Sequence, residues 1–184
     1  MQSNPDRIPS RAECEELMAR YTMLPNIVEH SFQVMRVALA ITDNLADGVS
    51  INRDAVIAGA LLHDITKTRS LQTKEKHAAS GGALLRELGF PLIAEIVEQH
   101  VVIDTNPAGP IVEKEIVYYA DKRVMHDKIV TLDERVQDLL IRYGKTQELY
   151  NLILQNLQHV TAVEQKLASF MKTDIHDAIK EIVG

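Results

Sequence analysis

An imidazole beside a carboxylate offers a cation two donor atoms from one stretch of backbone. The sequence contains a His-Asp pair three times, at His63-Asp64, His126-Asp127 and His176-Asp177. Seven histidines and twelve aspartates in 184 residues give about half such a pair by chance, so the bare dipeptide is weak. Context separates the three. His63-Asp64 closes the most apolar helical run of the chain, Ala58 to Lys67, which reads Ala-Gly-Ala-Leu-Leu-His-Asp-Ile-Thr-Lys. The other two pairs lie among Lys, Arg and Asp and read as solvated turns. Adjacent residues on a helix point about 100° apart, so both side chains of such a pair can reach one ion at the helix end. A bound cation also removes the cost of burying a carboxylate there. A buried ion pair or a capped helix end would account for the same residues without a metal.

Asp121 and His30 extend the set. The helical neighbours of Asp121 are Val117, Tyr118, Val124 and Met125, and an acid within an apolar stripe needs a partner. His30 shares its face with Ile27, Val34 and Val37. Either residue alone reads as structural. Together the four form an imidazole and carboxylate set without thiolate, suited to Mn, Fe, Co, Ni, Zn or Mg with water positions left open.

The elements that must hold these residues are helices almost throughout, and the fold class is all-α. Residues 1–9, with Pro5 and Pro9, are expected to be a loose tail. Ser10 and Glu13 form a capping box for a helix to about Tyr21, and Pro25 opens one to about Ala46. Asn52 caps a helix to about Ile65 that is apolar nearly all round, as at the centre of a bundle. Further helices are expected from about Lys74 to Leu88, Pro91 to Val101 and Val112 to Met125. The segment Asp104–Pro110 between the last two is loop-like, a candidate lid or rim. Thr131 and Glu134 cap another helix closed by Gly144, with Leu132, Val136, Leu139, Leu140 and Tyr143 on one face. A long helix from about Gln147 to Met171 and a short one from Asp174 to Val183 complete the chain. No alternating strand pattern is visible.

In order and context, His30, His63-Asp64 and Asp121 resemble the HD-domain metal-dependent phosphohydrolase superfamily, over roughly residues 24–126. Shorter matches are Asn-Ile-Val-Glu-His-Ser at 26–31, His-Asp-Ile-Thr-Lys at 63–67, His77-Ala-Ala-Ser-Gly81 and Tyr119-Ala-Asp-Lys122. The resemblance implies a helical core over 10–127, followed by C-terminal helices over 128–184 that pack on it or form a dimer arm. It also implies that His30, His63, Asp64 and Asp121 ligate one divalent ion, with Asp64 able to bridge to a second. His77 and His100 stand where two-metal members of the superfamily place further histidines. His77 lies in a first helical turn, where the dipole disfavours protonation, and Ser80-Gly81 one turn on would let a metal or phosphate approach. Two departures are plain: Val101 follows His100 where many two-metal relatives double the histidine, and Thr66 replaces the usual Gly after His-Asp-Ile.

Phosphoester hydrolysis needs a nucleophile at neutral pH and positive charge at the phosphoryl oxygens, and a metal ion supplies both. Asp64 and Lys67 are the catalytic candidates. The Lys67 ammonium can clamp phosphate or protonate the leaving group, or it can simply answer a helix C-terminal dipole. Lys122 and Arg123 flank Asp121 and are candidates for substrate contact, or plain surface charges. The expected substrate is a small phosphorylated metabolite, a nucleotide first among them. A metal- or nucleotide-binding regulatory domain and a diiron oxygenase of the same superfamily are the alternatives. A net charge of −6 argues against coating nucleic acid. No apolar run approaches the ~18 residues of a membrane span, and the single cysteine, Cys14, suits a reducing cytoplasm. The 3-4 spacing of Tyr150, Ile153, Leu157, Val160, Glu164, Leu167 and Met171 fits a helix packed on its own domain or a homodimer seam.

Overall fold

The computed structural model describes residues 7–182; residues 1–6 of the expected tail, and Val183 at the end of the last expected helix, lie outside them. The rest of the tail is not loose, since Arg7 stacks over the Phe90 ring at 4.7 Å and pairs with Glu13 at 2.6 Å. Helix α1 spans Arg11–Arg20 and starts at the expected capping box, where Ser10 and Glu13 each satisfy the other's backbone N–H. Helix α2, Pro25–Asp43, buries Ile27, Val34, Val37 and Ile41 on one stripe. Helix α3, Arg53–Leu62, is the buried centre and packs against α1, α2 and the later helices Pro91–Glu98 and Glu113–Lys122.

Several local expectations are corrected around the site. Helix α3 ends at Leu62, and residues 63–66 form a turn from which a short helix, α4 (Lys67–Thr73), departs. Lys67 therefore opens a helix and does not answer the C-terminal dipole of α3. Lys74 sits at φ +63 and closes α4, so α5 begins later than expected, at His77, and runs to Glu87. Helix α6 is Pro91–Glu98, and α7, Glu113–Lys122, stops short of Met125. The chain then turns through a hairpin of two-residue strands, β1 (Val124–Met125) and β2 (Lys128–Ile129), paired antiparallel with His126 at φ +57. Strands this short leave no alternation for a sequence pattern to show.

The C-terminal helices are α8 (Leu132–Tyr143), α9 (Gln147–Ser169) and α10 (Ile175–Lys180). Val160, Val163 and Leu167 of α9 and Ile175 and Ile179 of α10 belong to the same core as α2, α3 and α7. The described residues are thus nearly all helical around one core, an all-α bundle. Among them no helix is long and apolar enough to cross a membrane. Asp104–Pro110 is held down rather than lid-like: Lys166 donates to the Asn106 carbonyl at 2.8 Å, and the Thr105 hydroxyl donates to Glu115.

Candidate metal centre

Three helices and the segments that follow two others aim their polar side chains at a common point. His30 comes from α2, His63 and Asp64 from the turn after α3, His77 from the first residue of α5, His100 from just beyond α6, and Asp121 from the last turn of α7. The turn at 63–66 is what lets neighbouring residues face the same point from a helix end. His63, Asp64, His100 and Asp121 are buried, and His30 and His77 nearly so.

Asp64 is the centre of the arrangement. Its Oδ2 stands 3.6 Å from Nε2 of His63, and its Oδ1 stands 3.2 Å from Nε2 of His77 and 3.5 Å from Nε2 of His100. Asp121 Oδ1 lies 3.0 Å from Nε2 of His30 and 3.6 Å from Nε2 of His63. Two overlapping groups result, His30–His63–Asp64 and Asp64–His77–His100, each with its donor atoms within 4.8 Å of one another.

The backbone sets which nitrogen of each ring faces inward. Nδ1 of His30 meets the His126 carbonyl at 2.8 Å, Nδ1 of His63 meets the Ala60 carbonyl at 2.8 Å, and Nδ1 of His100 meets the Val97 carbonyl at 2.6 Å. A carbonyl only accepts, so each Nδ1 carries a proton and each Nε2 is turned to the centre. For His30, burial works against the proton, but the hydrogen bond to Asp121 and its charge outweigh it and raise that imidazole. Burial holds the His63 imidazole neutral, pushed down to about 4 against the pull of Asp64 and Asp121. Burial alone would raise both carboxyls. For Asp64 the imidazoles of His63, His100 and His77 outweigh it, and for Asp121 Lys122 and His30 do, so both stay well below the usual carboxylate range.

These residues fit a divalent ion. Nε2 of His63 and Oδ1 of Asp64 are buried and without hydrogen-bond partners, which in a folded protein calls for an explanation. The Nε2 atoms of His77 and His100 face each other at 3.1 Å, close to the ~3–4 Å spacing of two ligands sharing one ion at ~2.1 Å. Neutral imidazoles and ionised carboxylates are the forms in which these groups bind metal.

A match to a known family spans the segment that carries this centre. The HD domain family matches residues 27–126, more than half of the chain. The chain belongs to the HD domain family. It is 33% identical over 132 residues to a dihydroneopterin 2',3'-cyclic phosphate phosphodiesterase of Methanocaldococcus jannaschii, covering 63% of this chain and 49% of that protein. It is 26% identical to a tRNA (cytidine(56)-2'-O)-methyltransferase of Picrophilus torridus, over 95% of this chain and 51% of that protein. A protein of the same name from Thermoplasma volcanium is 28% identical over 71% of this chain and 41% of its own length. The chain thus spans about half the length, or less, of the curated relatives it matches. No solved structure matches it.

Of the cations expected near substrate, Lys67 lies at the centre, with Nζ 3.2 Å from Nε2 of His77 and 3.7 Å from Oδ1 of Asp64. Lys122 donates to Asp121 Oδ2 at 2.7 Å and to the His100 carbonyl at 2.8 Å, so it braces two of the metal-facing segments. Arg123 is not brought there. It is buried on the opposite side of α7, where it donates to the Val130 carbonyl at 2.8 Å and the Tyr119 hydroxyl at 2.7 Å and faces His176. Ser80 and Gly81 also serve packing: the Ser80 hydroxyl donates to Thr66 Oγ1, and a Cβ on Gly81 would stand 3.0 Å from Val97. No residue pattern marks the His126 carbonyl behind His30, or α8 beside the centre. Arg135, Leu139, Arg142 and Tyr143 of that helix line, with His30, Asp64 and Lys67, a cavity of about 280 Å³. No motif marks a helix that reaches a site only through tertiary packing.

Proposed function

We propose that the chain is a metal-dependent phosphohydrolase that cleaves a phosphoester or phosphoanhydride of a small, nucleotide-like metabolite. The observation that carries this reading is Asp64, set between two groups of imidazoles, with the rings of His30, His63 and His100 oriented by backbone carbonyls at Nδ1. His30, His63, Asp64 and Asp121 would hold one divalent ion, and Asp64, His77 and His100 a second. A divalent ion so held acidifies a coordinated water and supplies positive charge to phosphoryl oxygens. The chain's own residues do the rest. The carbonyls of Ala60, Val97 and His126 keep the rings from rotating, and Lys122 keeps Asp121 ionised and aimed. Lys67, partly exposed at the cavity, is placed to draw a phosphate toward Asp64 or to give its proton to the departing oxygen. The relative that acts on a 2',3'-cyclic phosphate supports a phosphodiester as substrate class.

The test is a panel of nucleotides, phosphomonoesters and 2',3'-cyclic phosphates with Mn, Co, Ni, Mg or Fe added in turn. We expect hydrolysis that chelation abolishes, that metal restores and that Asp64→Ala lacks. Stoichiometric metal without hydrolysis of any member would overturn the reading in favour of a metal-binding regulatory domain.

A further inference from the structure

The cavity at the metal centre has a wall that the family-matched segment does not supply. Its floor carries His30, Asp64 and Lys67, and its far side is α8, beyond residue 126 where the HD domain match ends. Helix α8 buries none of its residues completely, and of them Leu132 packs against the main core. Arg135 is the unusual residue in this wall. Its Nε is shut off from solvent and has no hydrogen-bond partner. The nearest carboxylate, Asp138, stands 3.9 Å from Nη1 and is bonded instead by Arg142. The side chain as a whole is 20% exposed, but a charged donor atom shut off from solvent without an acceptor is costly, and a ligand that accepts from it removes the cost.

Two further features describe that ligand. The cavity lining holds three cations, Lys67, Arg135 and Arg142, against one carboxylate, Asp64, in a protein whose net charge is −6. Leu71 and Tyr143 also line it and are 53% and 54% exposed, apolar surface of the kind that the uncharged part of a ligand covers. At about 280 Å³ the space suits one small molecule.

We infer that Arg135 anchors a second anionic group of the substrate, a phosphate or carboxylate separate from the group at the metal centre. By this means α8 sets which small phosphorylated molecule is accepted. The inference rests on the phosphohydrolase reading above and adds to it a preference for molecules that carry two anionic groups. A guanidinium fork suits either acceptor, since both offer two oxygens in one plane.

The test is equilibrium titration of the metal-loaded protein with two matched pairs. These are adenosine 5'-monophosphate against adenosine 3',5'-bisphosphate, and glycerol 3-phosphate against 3-phosphoglycerate. In the wild type the added group should tighten binding about tenfold or more in at least one pair, the scale of a charged hydrogen bond. The pair that responds tells phosphate from carboxylate. Arg135→Ala should erase that gain while leaving unchanged the metal content and the affinity for the partner with one anionic group. Arg135→Lys should recover part of it, because the charge remains and the fork does not. Arg135→Gln fills similar space and stands in if the alanine variant fails to fold. No gain in the wild type, or a gain that survives removal of the guanidinium, overturns the inference. Binding is read independently of turnover. An Arg135-dependent gain without hydrolysis would therefore sink the phosphohydrolase reading and leave the anchor standing.

Discussion

Asp64 turns its two oxygens to different imidazole groups, so no other side chain can lose its carboxylate with the same effect. Asp64→Ala should release most of the metal and abolish hydrolysis while helical circular dichroism stays near wild type; unchanged metal content in that variant would remove Asp64 from the centre. Lys67 lies beside the same oxygen, yet an ammonium has no lone pair and cannot ligate. Lys67→Ala should keep the metal and lower kcat by about 10²-fold, the scale of one lost electrostatic or proton-transfer contribution, whereas His63→Ala should lose metal and turnover together. Normal turnover in Lys67→Ala would leave it a helix-opening cation. The other two His-Asp pairs bear on the site differently. His126 lends its backbone carbonyl, which any residue supplies, and His176 meets Arg123 away from the centre. His126→Ala and His176→Ala should therefore keep turnover within a few-fold of wild type, measured on the best substrate of the panel. At this scale the sequence was informative where burial conflicts with charge, as at Asp64 and Asp121. It was silent on Arg135, an exposed-looking helical arginine whose surroundings exist only after folding.

At the scale of elements, the centre depends on how closely α3 approaches α6 and α7. A Cβ on Gly59 would lie 2.7 Å from Cγ2 of Ile96 and 3.4 Å from Val117, so only glycine fits that crossing without displacement. Gly59→Ala should cost about 1–3 kcal/mol of overpacking. In a chain of this size that lowers Tm by about 3–10 °C in a thermal melt. A melt unchanged within a degree would mean that α6 yields freely, and that His100 just beyond it is not rigidly placed. The long helices were legible because their apolar stripes repeat over several turns and several caps are marked, as at Ser10, Asn52 and Thr131. Helix α4 and the hairpin at 124–129 were not. Helix α4 buries no residue and the strands are two residues long, so neither carries a period. Those unmarked pieces position Lys67 and the carbonyl behind His30.

At the scale of the whole molecule, the C-terminal helices join the family-matched core through a buried charge pair as well as through apolar contact. Lys166 of α9 donates to both oxygens of Glu115 in α7, at 2.7 and 2.9 Å, and the two side chains are 7% and 1% exposed. The same ammonium holds the Asn106 carbonyl, and Glu115 also accepts from the Val112 N–H and the Thr105 hydroxyl. A spacing argument assigns position 166 to no apolar seam, which is why the sequence pattern followed Glu164 and Leu167 and passed over it. Its removal isolates a carboxylate in the interior. Lys166→Ala should lose about 3–5 kcal/mol, a large part of the ~5–15 kcal/mol that holds a domain together. Urea denaturation monitored at 222 nm measures it. Lys166→Met combined with Glu115→Gln removes both charges and keeps an acceptor for the Val112 N–H, so it should lose less than half as much. The double variant being no more stable than the single would show that the cost lies in lost packing of α9 on α7 and not in an unpaired charge. In either variant the metal centre lies on other residues, so the protein that remains folded should hold its metal as the wild type does.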